Sequence, residues 1–144
     1  MTFEQWAFIT DLYTPMIVII CVISMVKLER EQGMRSGLFS LSGVLLSTAF
    51  IYAVMFVDNT LEIWPAFNLD YSTHTAIALV FIGYFIVYTP KLRGVMVFSI
   101  VGYALLMIHQ KYHTLSDIIS TTIIVMPVIL LCQYKCKLAV NTKC

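Results

Sequence analysis

Two short segments of this sequence gather residue types that can move protons and attack phosphorus. One is Asp70-Tyr71-Ser72-Thr73-His74-Thr75, and the other is His109-Gln110-Lys111-Tyr112-His113-Thr114-Leu115-Ser116-Asp117. Between them they hold every histidine in the chain. His113 and Asp117 stand at i and i+4, a spacing that puts both on one face if the segment is helical. A carboxylate so placed holds an imidazole in one tautomer and stabilises its protonated form, which makes the ring a good nucleophile or base. His74 belongs to a separate segment and can give a proton to a leaving group. Two histidines and one aspartate on one side of a helical bundle suffice for phosphoryl transfer through a phosphohistidine.

The same residues also suit a metal. His109, His113 and Asp117 follow at i, i+4 and i+8, and Asp70 and His74 have the same four-residue spacing. Imidazole and carboxylate ligands fit zinc or iron, which would give a metal-dependent hydrolase or a metal-binding protein. Taken singly, each residue has a plainer role. Asp58 and Asp70 can cap helices, and Ser116 and Asp117 suit the start of one. His109 can be an interfacial histidine.

The elements that position these residues are set by composition. The 144 residues are 60% hydrophobic and only 12% charged, with a mean hydropathy of +0.87. A soluble domain carries about 25% charge, so too little polar surface is present to cover a water-soluble globule. With a net charge of +1 and no basic patch interleaved with aromatics, nucleic acid is excluded as a partner. The N-terminal MTFEQWAFITDLY lacks a positive n-region and a small-residue cleavage site, so no cleaved signal peptide is expected. Cys21, Cys132, Cys136 and Cys144 form no disulfide framework and read as free thiols.

Five apolar runs are candidate membrane spans: about 6–26, 38–57, 74–88, 95–108 and 115–133. They must be helices, because a chain in lipid has to satisfy its backbone internally, and the runs are too continuous for barrel strands. The third and fourth are short, so their ends include polar residues or lie in a sheltered groove. Five spans place Lys27, Arg30, Arg35, Lys91, Arg93, Lys135, Lys137 and Lys143 on one side and Lys111 alone on the other. The positive-inside rule makes the first side cytoplasmic. The expectation is an all-α integral membrane protein, a single five-span bundle over residues 1–144, with its N-terminus out and its C-terminus in. The outer face then carries Glu4, Asp11, Asp58, Glu62, Asp70 and Asp117 with the three histidines, and ionisable groups at a membrane boundary point to function.

Ser72-Thr73-His74 at the start of the third span and His113-Thr114-Leu115-Ser116-Asp117 at the start of the fifth resemble the type 2 phosphatidic acid phosphatases, the membrane branch of the haloperoxidase-like superfamily. The resemblance covers roughly the last half of the chain. It implies His113 as nucleophile, Asp117 as its orienting partner and His74 as general acid, with no cofactor. The arginine motifs of that family are missing: position 107, where an arginine is usual, is Met107, and the outer face has no arginine. Lys111, protonated histidines and helix N-terminal amides are left to hold an anion. Asp70-Tyr71 before Ser72 and Thr75 after His74 are similar to the sphingomyelin synthases, whose phosphodiester headgroup carries a cation. Asp70 and Tyr71, with Ser72, Thr73 and Lys111, are then the substrate-binding candidates. The leading expectation is a phosphatase or phosphotransferase acting on a lipid within the membrane. The alternatives are the metal-dependent protein, with His109, His113, Asp117, Asp70 and His74 as ligands, and a non-catalytic protein that binds a lipid or a membrane partner.

Overall fold

The computed structural model describes residues 3–141, with side chains described for Trp6 and from Phe8 onward. The Glu4 side chain, Lys143 and Cys144 lie outside the described residues. Five helices follow in order: α1 (Phe3–Gln32), α2 (Met34–Leu61), α3 (Thr73–Tyr88), α4 (Arg93–His109) and α5 (Leu115–Asn141). A 3-10 turn, Pro65–Phe67, lies between α2 and α3. Each apolar run is therefore helical, but the polar stretch expected as the first loop is not a loop. Its Lys, Glu, Arg and Gln residues are good helix formers, and they extend α1 and α2 until only Gly33 separates them. Gly33 has φ 91°, a left-handed conformation that glycine adopts without steric cost.

Side-chain contacts set the direction of each helix. The rings of Trp6 and His109 lie 6.0 Å apart, which puts the start of α1 beside the end of α4. Ser24 near the end of α1 meets the Tyr84 hydroxyl near the end of α3 at 3.2 Å. Successive helices thus run in opposite directions. One end of the bundle gathers the histidines, Asp58, Asp70 and Asp117. The other gathers Lys27, Arg30, Arg35, Lys91, Arg93, Lys135 and Lys137.

The surface is far more apolar than that of a water-soluble protein. Phe8, Met16, Ile23, Leu38, Leu45, Phe56, Val95, Phe98, Leu105, Ile123 and Leu131 are all exposed, spread along four helices. Inside, Ser40, Ser47, Thr121 and Gln133 have no exposed surface. Residues Phe8–Gln32, Met34–Leu61 and Leu115–Val140 are long and apolar enough to cross a membrane. Helix α3 differs from these three: it is apolar all round and packs against each of the other four helices, the pattern of a fully enclosed helix. Its 16 residues span about 24 Å, short of the roughly 30 Å hydrocarbon core.

Small residues let α3 and α2 approach α5 closely. A Cβ on Gly83 would meet Ile129 Cγ2 at 2.7 Å, and one on Gly43 would lie 3.3 Å from Gln133 Cα. Close backbone approach of this kind drives helix association in lipid, where apolar surface alone gives no advantage. Polar contacts then fasten α5 to α3. Gln133 Nε2 donates to the Val80 carbonyl at 2.8 Å, and the Tyr88 hydroxyl donates to the Gln133 carbonyl at 3.2 Å. Lys137 Nζ donates to the Val87 carbonyl at 2.6 Å, satisfying one of the acceptors left open in the last turn of α3.

Overpacking a tight helix contact costs about 1–3 kcal/mol. Gly83→Ala is expected to lower the thermal unfolding midpoint in detergent, whereas Gly102→Ala, where nothing lies within 4 Å, is expected to leave it unchanged or slightly raised. Equal midpoints for the two variants would contradict the close α3–α5 contact.

Candidate functional site

The chemistry-bearing residues meet where α3 and α5 begin, and capping decides how. Ser72 caps α3: its Oγ accepts the Thr75 amide at 3.3 Å, and its own amide donates to Thr121 Oγ1 of α5 at 3.1 Å. At α5, Thr114 and Asp117 form a reciprocal cap of the kind known as a capping box. Asp117 Oδ2 accepts from the Thr114 amide at 2.8 Å and from its hydroxyl at 2.7 Å, and the Asp117 amide returns to Thr114 Oγ1 at 3.3 Å. The other carboxylate oxygen, Oδ1, accepts the Asp70 amide at 2.8 Å. Asp117 therefore ties the lead-in to α3 directly to the first turn of α5.

This joint changes the geometry that the spacing implies. His113 precedes α5 and does not share a helical face with Asp117. The segment from Gln110 to Thr114 is a turn, with Lys111 left-handed at φ 60°, so the i, i+4, i+8 ladder of His109, His113 and Asp117 does not form. His109 ends α4 and lies against Trp6. Asp70 likewise precedes the α3 cap rather than standing one turn before His74 on a helix. Among the described residues, no group of three or more histidine, cysteine or acidic side chains is placed to hold a metal ion, so the five-ligand metal centre is not assembled.

Asp70 is the carboxylate that faces His113. Its Oδ2 lies 3.4 Å from His113 Nδ1, within ion-pair range, although that nitrogen makes no aligned hydrogen bond. The His113 side chain is only 10% exposed and that of Asp70 is 74% exposed, so Asp70 forms the solvent side of the pair. The rings of His74 and His113 have centroids 6.3 Å apart at an interplanar angle of 54°, close enough for one small group to touch both. They open on a cavity of about 320 Å³ whose wall also includes Asp58, Asn59, Asp70, Tyr71 and Thr73.

The outer wall is fixed from α2. Asp58 is buried, and its Oδ1 accepts the Trp64 amide at 2.8 Å. The Trp64 indole donates to Ser120 at 3.1 Å and meets the Tyr71 ring edge-on at 5.0 Å. Burial, with Asp58 adding to it, pushes the Tyr71 hydroxyl up to about 12. It stays protonated and donates to the Ile51 carbonyl at 3.1 Å. Tyr71 is thus a wall rather than a proton donor to the site.

Of the residues singled out in the sequence, His74, His113, Asp70, Tyr71 and Thr73 line this cavity. Ser72 and Asp117 lie behind it, buried and occupied with backbone. Lys111 is exposed and outside the lining, and among the described residues no lysine or arginine reaches it. Asp58 and Asn59 were not singled out as site residues. Their sequence signal, an acid and an amide at the end of an apolar run, is indistinguishable from a helix terminus.

Comparison with protein-family models, curated proteins and solved structures found no match for this chain.

Hydrogen bonds to a charged group contribute about 1.5–3 kcal/mol each. Asp117→Ala leaves two backbone amides without their acceptor and is expected to cost about 3 kcal/mol or more, read as a lower unfolding midpoint. Faster amide exchange at Asp70 and Thr114 should accompany it. Unchanged exchange at both amides would contradict the joint.

Proposed function

We propose that this chain is a membrane-embedded phosphotransferase or hydrolase that acts on a lipid phosphate group through a phosphohistidine. The observation that carries the reading is the pair of imidazoles 6.3 Å apart across one cavity, with a carboxylate 3.4 Å from Nδ1 of one of them. Asp70 favours a proton on His113 Nδ1 and so leaves the lone pair on Nε2. In the proposed reaction His113 Nε2 attacks phosphorus, the bond to the leaving oxygen breaks, and His74 gives that oxygen a proton. Water or an acceptor hydroxyl then attacks the phosphorus, the bond to His113 Nε2 breaks and frees the imidazole, and the attacking group yields its proton to His74. The orienting role that the family resemblance gives to Asp117 passes to Asp70. Asp117 acts at one remove, by holding the Asp70 amide.

Charge on the cavity wall supports a narrower substrate. Asp58 and Asp70 line it, and among the described residues no lysine or arginine does. A zwitterionic phosphodiester brings one negative charge for the proton that His74 carries in this reaction and one cation for the acids, as a choline or ethanolamine headgroup would. The charge segregation between the bundle ends supports the wider setting. In this reading all five helices span the membrane, the N-terminus and the histidine end lie outside, and the basic end is cytoplasmic.

In reconstituted protein, His113→Ala should abolish release of the headgroup from a choline phosphodiester lipid, and His74→Ala should lower it by about 10²–10⁴-fold. Asp70→Asn should fall between wild type and His74→Ala, and chelator should have no effect. Turnover unchanged in His113→Ala would sink the mechanism. Absence of turnover on any phospholipid, with lipid retained after extraction, would favour a non-catalytic lipid-binding protein.

The topology has its own test in a cysteine-free background. A membrane-impermeant maleimide applied to intact cells or vesicles of native orientation should label a cysteine at position 68 and should reach one at position 91 only after permeabilisation. The reverse pattern would overturn the orientation.

A further inference from the structure

A second cavity lies at the opposite end of the bundle from the histidines. It measures about 590 Å³ and runs between the last turns of α1 and the α3–α4 turn. Its origin is a mismatch of lengths. Helix α1 has 30 residues and α3 only 16, so α1 continues past the point where the chain turns back at Thr89–Leu92. The overhang leaves a groove with Ile20, Ile23 and Leu92 on its walls and Lys27 and Lys91 at its rim. The three apolar side chains are exposed, so the groove opens sideways on the membrane-facing surface.

We infer that this groove binds one anionic phospholipid, with an acyl chain along Ile20, Ile23 and Leu92 and the phosphate between Lys27 and Lys91. A bilayer cannot leave an apolar notch empty beneath a hairpin that ends short, and lipid fills such mismatches. Charge selects which lipid. Lys27 and Lys91 are joined at this end by Arg30, Arg35, Arg93, Lys135 and Lys137, against Glu29 and Glu31. Basic pockets between helices are the usual seats of anionic headgroups. Glu31 sits 3.8 Å from Lys27, but both side chains are more than half exposed, and an exposed pair of this kind holds the ammonium weakly. Ser24 and Thr89 also line the groove and supply hydroxyls to the glycerol region.

The test uses the full chain in a neutral detergent, with unfolding followed on heating. Phosphatidylglycerol should raise the midpoint by about 5 °C and saturate, and native mass spectrometry should retain one such lipid per chain. Phosphatidylcholine of the same acyl chains should give neither effect, and soluble glycerol phosphate should give no shift. Lys27→Ala with Lys91→Ala should remove the phosphatidylglycerol shift while the lipid-free midpoint stays at the wild-type value. Ile23→Trp, which fills the groove without changing charge, should remove it as well and serves if the lysine variant does not fold. An equal shift with phosphatidylcholine, a shift with glycerol phosphate, or a phosphatidylglycerol shift that persists in Ile23→Trp overturns the inference.

Discussion

A single buried carboxylate determines where the ends of two helices stand. Asp117 accepts from the Thr114 amide and hydroxyl on one side and from the Asp70 amide on the other. A carboxylate at this depth is costly unless its oxygens are filled, and these three donors fill both. The arrangement also orders residues that no helix holds. His113 and Asp70 both lie in connecting segments, where backbone freedom would otherwise separate them. Because Thr114 adjoins His113, and Asp70 itself donates to Asp117, the clamp brings the imidazole and its facing carboxylate into register. Ser72, capping α3 and donating to Thr121, provides a second tie one residue beyond Tyr71.

The enclosed third helix follows from the same economy of polar groups. A helix apolar on all sides cannot distinguish lipid from protein, so what places it at the centre is contact quality. Gly83 admits Ile129, and Gln133 and Lys137 reach α3 carbonyls. The long helices then turn many large apolar residues outward and bury several serines and threonines, most of them bonded to their own backbone. Ser40 and Ser47, for example, donate to Gly37 and Gly43 carbonyls at 2.8 Å. Enclosure lets a short helix keep its termini among its neighbours, α3 being in contact with each of the other four helices. At its first turn this places His74 within reach of α5 and α1. At its last turn it leaves the notch beneath α1.

The helices were legible in the sequence because continuous apolar runs have one solution in lipid. The charged stretch after Val26 was misread as a loop because polarity was taken for irregularity, although Lys, Glu, Arg and Gln favour helix and only Gly33 breaks it. The site was legible in part. His74, His113, Asp70, Tyr71 and Thr73 were recognised and do share a cavity. The pairing of His113 with Asp117 was not, because four-residue spacing means a shared face only inside a helix. Lys111 takes a left-handed backbone at φ 60°, a state that no propensity assigns to lysine. That turn moves His109 away from His113 and leaves Asp117 to cap. Lys111 was assigned to the anion on charge alone, and its exposed position in the turn keeps it out of the lining.

What the cavity lacks constrains its chemistry as much as what it contains. Among the described residues, two acids and no lysine or arginine line this cavity with the imidazoles. Two unit charges about 5 Å apart interact by about 3 kcal/mol at an effective dielectric of 20, so each extra negative charge on a substrate meets a penalty of that order from either acid. A phosphomonoester dianion carries two charges into this field, and a diester carries one. A cation attached to the diester reverses the sign of its interaction with the acids. The histidines must then supply the positive charge that arginines supply elsewhere, and a ring that is protonated to attract phosphate cannot at that moment attack it. In the proposed reaction two imidazoles resolve the conflict where one cannot: His74, exposed on the cavity, is the one that attracts the phosphate and protonates the leaving oxygen. His113, with the Asp70 carboxylate 3.4 Å from Nδ1, is in that proposal the one that keeps a lone pair for phosphorus. The arginine-poor cavity and the division of labour between the histidines are thus two consequences of one electrostatic arrangement.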